Sequence, residues 1–371
     1  MQKGLKKILI FHPYLAPYRI DLYNKLAEDY EIFVLLTGSK KEISTLGFDL
    51  ESVNRQAKFA YQYITNGIRF GRHLISSIFL KIIQQFNPDI IISHELGINT
   101  IFAILGRVVY KKKYKIYTTI DDSPSMAENY SKKRELLRRF VVNHVNGFIV
   151  VNPNVKNFLE DKYKKIKNKT IYFPIIQDDN ILINKINLSQ KKAEELQKQY
   201  NLFNKRIILF VGRLEVTKCP DLLLKTFHKI ESSKDILIIV GQGSLSNYLL
   251  NYIKENQINN VILTGRLTGE NLYAWYYLAN VFILPSKFEP FGAVVNEALV
   301  AGCYTIVSDK VGAAALIDKH NGMVIQISSL GTFKDNFINC LKNIPIKKIH
   351  KSLMNKSFSQ YYNDLRNKME I

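Results

Sequence analysis

Short apolar runs alternate with helical patterns twice along this chain, and no other feature limits its fold as strongly. In the first half, strands are predicted at Lys7–Phe11, Glu31–Leu36, Asp89–Ser93, Lys115–Thr119 and Gly147–Val151. Helical patterns separate several of them, including Ile20–Glu28 and Phe70–Phe86. In the latter Phe70, Leu74, Ile78, Ile82 and Phe86 recur every fourth residue. The second half gives strands at Arg206–Val211, Asp235–Val240, Val261–Thr264, Val281–Pro285 and Tyr304–Ser308. Helices are predicted between them near Asp221–Ile230, Ser246–Glu255, Asn271–Ala279 and Ala293–Val300. Strands alternating with helices predict a parallel sheet wound by crossover helices. Four second-half strands are almost wholly apolar, as strands covered on both faces are.

At 371 residues the chain is long enough for two domains of about 100–200 residues each. The stretch Tyr172–Lys185 carries Pro174, two aspartates and no clear period, which marks a connection. The expected class is α/β, with two doubly wound domains facing each other across a cleft. The expected boundaries are 1–173, a linker at 174–185, a second domain at 186–349, and a C-terminal helix within 350–371 that returns to the first domain.

The formal net charge is +20, and both halves are basic. That favours anionic partners without choosing among nucleic acid, anionic lipid and phosphorylated substrate. The three cysteines, Cys219, Cys303 and Cys340, are too sparse for a disulfide framework or a zinc site. The apolar run Ile8–Phe11 stops at His12-Pro13, short of a signal peptide, and no run approaches a membrane span. The expectation is a cytoplasmic protein, soluble or peripheral at the inner face of the plasma membrane.

Three segments carry candidate chemistry. In Phe210-Val211-Gly212-Arg213-Leu214 a strand ends and a glycine permits a tight turn. Arg213 and Lys218 then precede a helix start near Asp221. A planar guanidinium, a point charge and a helix N-terminus could together hold a diphosphate. In Val240-Gly241-Gln242-Gly243, glycines let the backbone approach a ligand, although Gly-x-Gly alone is a common exit from a strand. In Pro285-Ser286-Lys287-Phe288-Glu289-Pro290-Phe291-Gly292-Ala293, a loop leads into a helix that carries Glu297. Phe291, Gly292 and Ala293 would offer amides at that helix start. Glu289 and Glu297 suit a ligand rich in hydroxyl groups.

These segments resemble the signature of the retaining GT-B glycosyltransferases of family 4, the glycosyl transferases group 1. The resemblance lies in the Glu-Pro-Phe-Gly loop with a second Glu eight positions after the first. It extends to Val-Gly-Arg-Leu with its later Lys, to Val-Gly-x-Gly and to Thr264-Gly265-Arg266, in family order. It implies that Arg213 and Lys218 bind the donor diphosphate and that Glu297 binds the ribose hydroxyls. Glu289 and the amides of Phe291, Gly292 and Ala293 would hold the transferred sugar, with Gly241 and Arg266 lining the nucleotide. The first half resembles the family's acceptor domain less closely, in Phe11-His12-Pro13, Ala16-Pro17-Tyr18-Arg19 and Asp89–Glu95. Asp121 stands where relatives often have a histidine. Val311-Gly312-Ala313-Ala314-Ala315 stands where many have paired glycines and then Glu. His94, Asp121 and Arg19 are the expected acceptor or donor-sugar contacts. His94 equally fits a structural role, and Asp121-Asp122 a cap before Ser123-Pro124.

The expected activity is transfer of a hexose or N-acetylhexosamine from a nucleotide sugar to a glycan or polyprenyl-linked glycan, with retention of configuration. Such chemistry belongs to bacterial capsule, lipopolysaccharide or exopolysaccharide synthesis. Arg213, Lys218 and a helix dipole can neutralise the leaving phosphate, so no metal or other cofactor is expected. The segment Lys132–His144 sets Leu136, Leu137, Phe140 and Val141 against five cations, a pattern that suits anionic lipid or packing on a core. Two alternatives remain. One keeps the fold but acts as a nucleotide-sugar epimerase or a phosphorylase. The other is a basic nucleic-acid binder, although no zinc-finger spacing, RNP-like motif or basic arm is present.

Overall fold

The computed structural model describes residues 5–38, 50–71, 73–121, 131–230, 232–327, 330–342, 344–346, 348 and 350–369. The chain divides into two compact units. Unit 1 is Met1–Ile176 with Ser359–Ile371, and unit 2 is Gln177–Phe358.

Unit 1 contains β1 (Lys7–His12), β2 (Glu31–Leu36), β3 (Ala60–Tyr63), β4 (Ile68–Phe70), β5 (His73–Ile75), β6 (Ile90–His94), β7 (Lys115–Ile120), β8 (Gly147–Val150) and β9 (Thr170–Tyr172). Seven of them form a parallel sheet in the order β3-β2-β1-β6-β7-β8-β9. β1 pairs with both β2 and β6, so the winding direction reverses between β1 and β6. Unit 2 contains β10 (Arg206–Val211), β11 (Asp235–Val240), β12 (Val261–Gly265), β13 (Val281–Leu284), β14 (Tyr304–Ser308) and β15 (Gly322–Ile325). Their order is β12-β11-β10-β13-β14-β15, and the reversal falls between β10 and β13. β13 has no side chain more than 1% exposed, as a central strand covered on both faces requires. In sheets of this kind, ligands bind outside the carboxyl ends of the strands at the reversal. The topology therefore marks His12 and His94 in unit 1, and Gly212 and Pro285 in unit 2.

Two expectations need correction. The long helix Phe70–Phe86 is a helix only at Ile78–Phe86. Upstream, β4 and β5 form an antiparallel hairpin closed at Gly71, whose φ of 59° suits glycine. Ser76 Oγ accepts the Ile78 amide at 3.2 Å and starts the helix. Three-residue strands are too short to show their own period, so their apolar positions fell in phase with the helix. The expected linker at 174–185 contains the start of a helix, Asp179–Leu188. Asp178 caps it, accepting from Asn180 N at 2.9 Å and Ile181 N at 3.3 Å, and Leu182 and Ile186 are buried. The aspartate pair that looked like loop composition is an N-terminal cap.

The helix Phe358–Met369 lies largely within unit 1. Tyr362 and Arg366 donate to Asp29 at 2.6 and 3.1 Å, and Tyr117 donates to the Met369 carbonyl at 3.0 Å. No helix among the described residues is long and apolar enough to cross a membrane.

Candidate active site

The unit 2 rim is built mainly from backbone. After β10 the chain turns through Gly212 to a short 3-10 turn at Val216–Lys218. Cys219, with φ 54°, then leads into the helix Pro220–His228, with Pro220 in its first turn. Gly241 follows β11 with φ 152°, and a Cβ there would overlap the Gly212 carbonyl oxygen. The two strand exits thus touch through their backbones. Leu214 N donates to Gln242 O at 3.1 Å, and Glu215 accepts from Ser244 Oγ at 2.6 Å. The Gly241 amide reaches Gly265 O at 2.9 Å, which ties in the third exit.

Glu289 sits in a loop clamped from two sides. Lys287 N donates to Thr217 O at 2.8 Å, while Gly312 N donates to Glu289 O at 3.0 Å. Glu289 and Val311 form a parallel bridge, and a Cβ on Gly312 would overlap the Pro290 carbonyl oxygen. The Val311-Gly312 turn, which departs from the family pattern in sequence, is one jaw of this clamp. The Lys218 side chain is buried and ion-paired with Glu289. It also donates to the Phe288 carbonyl at 3.3 Å. Lys218 and Glu289 are therefore one contact pair, although the sequence suggested separate tasks for them. Arg213 and Arg266 are exposed on the rim.

The amides of Phe291, Gly292 and Ala293 donate to no backbone carbonyl among the described residues. They precede the helix Val294–Val300, in which Glu297 is held from two sides. Gln177 Nε2 donates to Glu297 Oε1 at 3.0 Å, and the Gln177 amide donates to Asn296 Oδ1 at 3.0 Å. Burial raises the Glu297 pKa above the usual carboxylate range, against hydrogen bonds from Tyr276 and Gln177 that lower it.

The unit 1 rim is built from side chains. Arg19, on the helix Pro17–Asp29, is 1% exposed and pairs with Asp121 at 2.5 Å. Burial pushes the Asp121 carboxyl up, but Arg19 and His94 outweigh it and hold it down at about 2. The Asp121 amide donates to Glu95 Oε1 at 3.0 Å. Glu95 has φ 61°, a left-handed conformation unusual for this residue type. Its carbonyl accepts from Thr100 at 2.6 Å and Thr118 at 2.9 Å, which fixes that strained turn.

His12 and His94 pack with ring centroids 4.5 Å apart. His12 Nδ1 lies 2.7 Å from the Tyr14 carbonyl oxygen, so Nδ1 carries the proton and donates. Burial, with His94 and Arg19 nearby, pushes the His12 pKa well down, so the ring is neutral. Its Nε2 is a buried lone pair with no hydrogen-bond partner among the described residues. Ligand atoms of His12, His94 and Asp121 lie within 4.8 Å of one another, close enough to hold a cation. Arg19, already bonded to the Asp121 carboxylate, opposes one electrostatically.

Residues 192–353 match the family model Glycosyl transferases group 1. Unit 2 is a group 1 glycosyltransferase domain. The chain is 31% identical over 242 residues to an uncharacterized glycosyltransferase of Methanocaldococcus jannaschii, covering 62% of this chain and 58% of that relative. It thus spans a little over half the length of that protein. It is 26% identical over 269 residues to the Campylobacter jejuni N-acetylgalactosamine-N,N'-diacetylbacillosaminyl-diphospho-undecaprenol 4-alpha-N-acetylgalactosaminyltransferase, covering 69% of this chain and 71% of that one. Anabaena HepE, crystallised in complex with UDP, shares the fold with a TM-score of 0.69 at 16% identity, over 97% of this chain and 94% of that one. The two parallel-sheet Rossmann-like units expected from sequence are the GT-B fold of these structures.

Sequence reading of the glycosyltransferase domain missed Gln177 and Tyr276, which support Glu297. Gln177 was hidden in the presumed linker, and Tyr276 in an apolar helix. In unit 1 it missed His12 and Glu95 as site residues. A signal was present for both, since His12 directly follows one predicted strand and Glu95 follows another closely. Asp122, Ser123 and Pro124, read as a cap, lie outside the described residues.

Proposed function

We propose that this chain transfers a hexose or N-acetylhexosamine from a nucleotide sugar to a hydroxyl group of a glycan carried on a polyprenyl diphosphate. The observation that carries the reading is the Lys218–Glu289 pair at the carboxyl ends of β10 and β13, flanked by the amides of Phe291, Gly292 and Ala293, which donate to no backbone carbonyl among the described residues. Arg213 and Lys218 face the diphosphate, and Glu297 accepts from the ribose hydroxyls. Glu289 faces the transferred sugar. Gly241 and Arg266 line the nucleotide.

In the proposed reaction the anomeric carbon–phosphate oxygen bond breaks while the acceptor oxygen attacks from the same face, which retains configuration. The acceptor proton passes to the leaving phosphate. Its negative charge is met by Arg213, Lys218 and backbone amides, so turnover needs no metal. In unit 1, the ionised Asp121 presents an acceptor that suits a sugar hydroxyl, with His94 beside it and Arg19 holding it in place. The UDP in HepE makes UDP-sugars the first donors to test, and the diphospho-undecaprenol in the Campylobacter enzyme's name motivates the acceptor class.

The experiment is a thermal-shift screen with UDP-, GDP- and dTDP-sugars. A donor at 100 times its dissociation constant adds about 2.7 kcal/mol of stability. Loss of that shift in Arg213→Ala and Glu297→Ala supports the donor assignment, and unchanged affinity in both overturns it. Turnover that dies in EDTA and returns only with a divalent ion refutes the metal-free mechanism. A free epimer or sugar phosphate as product would point to an epimerase or phosphorylase instead. Salt-dependent nucleic-acid binding with no donor affinity would point to the remaining alternative.

A further inference from the structure

The helices Ile98–Val109 and Lys132–His144 connect β6 to β7 and β7 to β8, three neighbours in order in the unit 1 sheet. Crossovers of one hand place both helices on the same face of that sheet. Arg107 ties them together, donating to the His144 carbonyl at 2.5 Å and to Asn146 Oδ1 at 3.4 Å.

The second helix does not bury the apolar face that its sequence suggests. Arg138, Val141 and Val142 turn inward, while Leu136 and Phe140, one turn apart, are 72% and 44% exposed. On the first helix Val108 and Val109 are 67% and 52% exposed, and Leu105 is 40% exposed. An ordinary solvated helix carries polar side chains at such positions. Cations surround these apolar side chains. Lys132, Lys133, Arg134 and Arg139 are exposed on the second helix, and Lys111 and Lys113 follow the first. The two helices hold one acidic residue, Glu135. It is occupied by Arg139 at 3.1 Å, Lys162 at 2.8 Å and the Tyr163 hydroxyl at 3.1 Å.

We propose that this two-helix face docks unit 1 on the surface of an anionic lipid bilayer. Leu136, Phe140, Val108 and Val109 enter the headgroup boundary, and the lysines and arginines around them meet lipid phosphates. The one-sided charge favours a bilayer, because an anionic surface extends past every edge of the patch. This inference extends the lipid-linked acceptor reading, yet its test involves neither donor nor acceptor, so either can fail alone.

The test is cosedimentation of the full chain with vesicles of phosphatidylcholine, alone or mixed with phosphatidylglycerol. Binding to the mixed vesicles at low salt is expected, weaker by roughly tenfold or more on the neutral ones. Leu136→Ser with Phe140→Ser reduces binding by roughly tenfold at all salt concentrations. Lys132→Glu with Lys133→Glu weakens it at low salt and flattens its salt dependence. Matching far-UV circular dichroism melts show that the variants fold. Wild-type chain left in the supernatant overturns the proposal, as do folded variants that sediment like wild type. A concentration-dependent dimer, seen without vesicles and abolished by the serine pair, reassigns the face to self-association.

Discussion

The two rims sit at equivalent places in two similar sheets, yet they are made of different material. In unit 2 the strand exits are joined backbone to backbone, with Gly241 against Gly212 and Gly312 against Pro290. The groups proposed to meet the donor there are amides, exposed arginine and one paired lysine. In unit 1 the rim is a network of side chains, with Arg19 and His12 buried and Asp121, Glu95 and His94 half-buried beside them. A rim of backbone keeps its shape when a side chain is changed. A rim of buried charge does not, because removing one partner strands the other.

The largest expected effect follows from that contrast. Asp121→Asn leaves Arg19 buried without its counter-charge and destabilises unit 1 by about 3–5 kcal/mol. The chain has one tryptophan, Trp275, which is 1% exposed in unit 2 and reports on that unit alone. The circular dichroism melt should therefore lose stability while the Trp275 fluorescence melt moves less. Equal shifts in both would mean that the two units unfold together and that the contrast cannot be read from stability.

In unit 2, Glu297→Ala removes the proposed hydrogen-bond acceptor for the ribose and weakens donor binding by about 0.5–1.5 kcal/mol, measured by calorimetry. The fold should tolerate the change, because burial already disfavours the ionised Glu297.

Acid separates the rims further. The Asp121 pKa is held at about 2, below its usual 3.8. Its ion pair contributes fully above the usual carboxylate value, and that contribution is lost as pH falls from about 4 toward 2. The loss is about 2 kcal/mol. Glu297 has the opposite sign. Its pKa is raised by burial, so its contribution is largest in acid and declines as pH rises. Hydrogen exchange on peptides from each unit should show β1, β6 and β7 opening in acid before β10 and β13. The reverse order would contradict the assignment of Asp121.

The same contrast explains what could be read from sequence. The unit 2 rim depends on glycines and on residues within one short loop, so spacing alone exposes it. The parallel sheets were equally plain, because strands covered on both faces are apolar throughout. Asp121 and Arg19 are 102 positions apart, and nothing local says that they touch. Gln177 was missed because its role depends on where the next helix begins, and capping by Asp178 looks like loop composition until the helix is seen. In Lys132–His144 the number of apolar residues was legible, but the face they occupy was not. Arg138 turns inward and Leu136 outward, against the order that hydropathy gives.

The smallest effect on stability is expected at Arg213, and it tests the backbone side of the comparison most directly. Arg213 is exposed and projects from a turn held by its neighbours, since Gly212 N donates to Val240 O at 3.0 Å and Leu214 N to Gln242 O at 3.1 Å. Arg213→Ala removes none of these bonds, so the melt should shift by no more than about 0.5 kcal/mol. Donor binding should nevertheless fall by roughly tenfold, because the proposed charge-assisted contact to phosphate is lost. Arg213→Lys should recover part of the affinity, since the charge returns without the planar fork. If Arg213→Ala instead destabilised unit 2 as much as Asp121→Asn destabilises unit 1, the rim of unit 2 would also depend on side-chain charge, and the distinction between the two rims would fail.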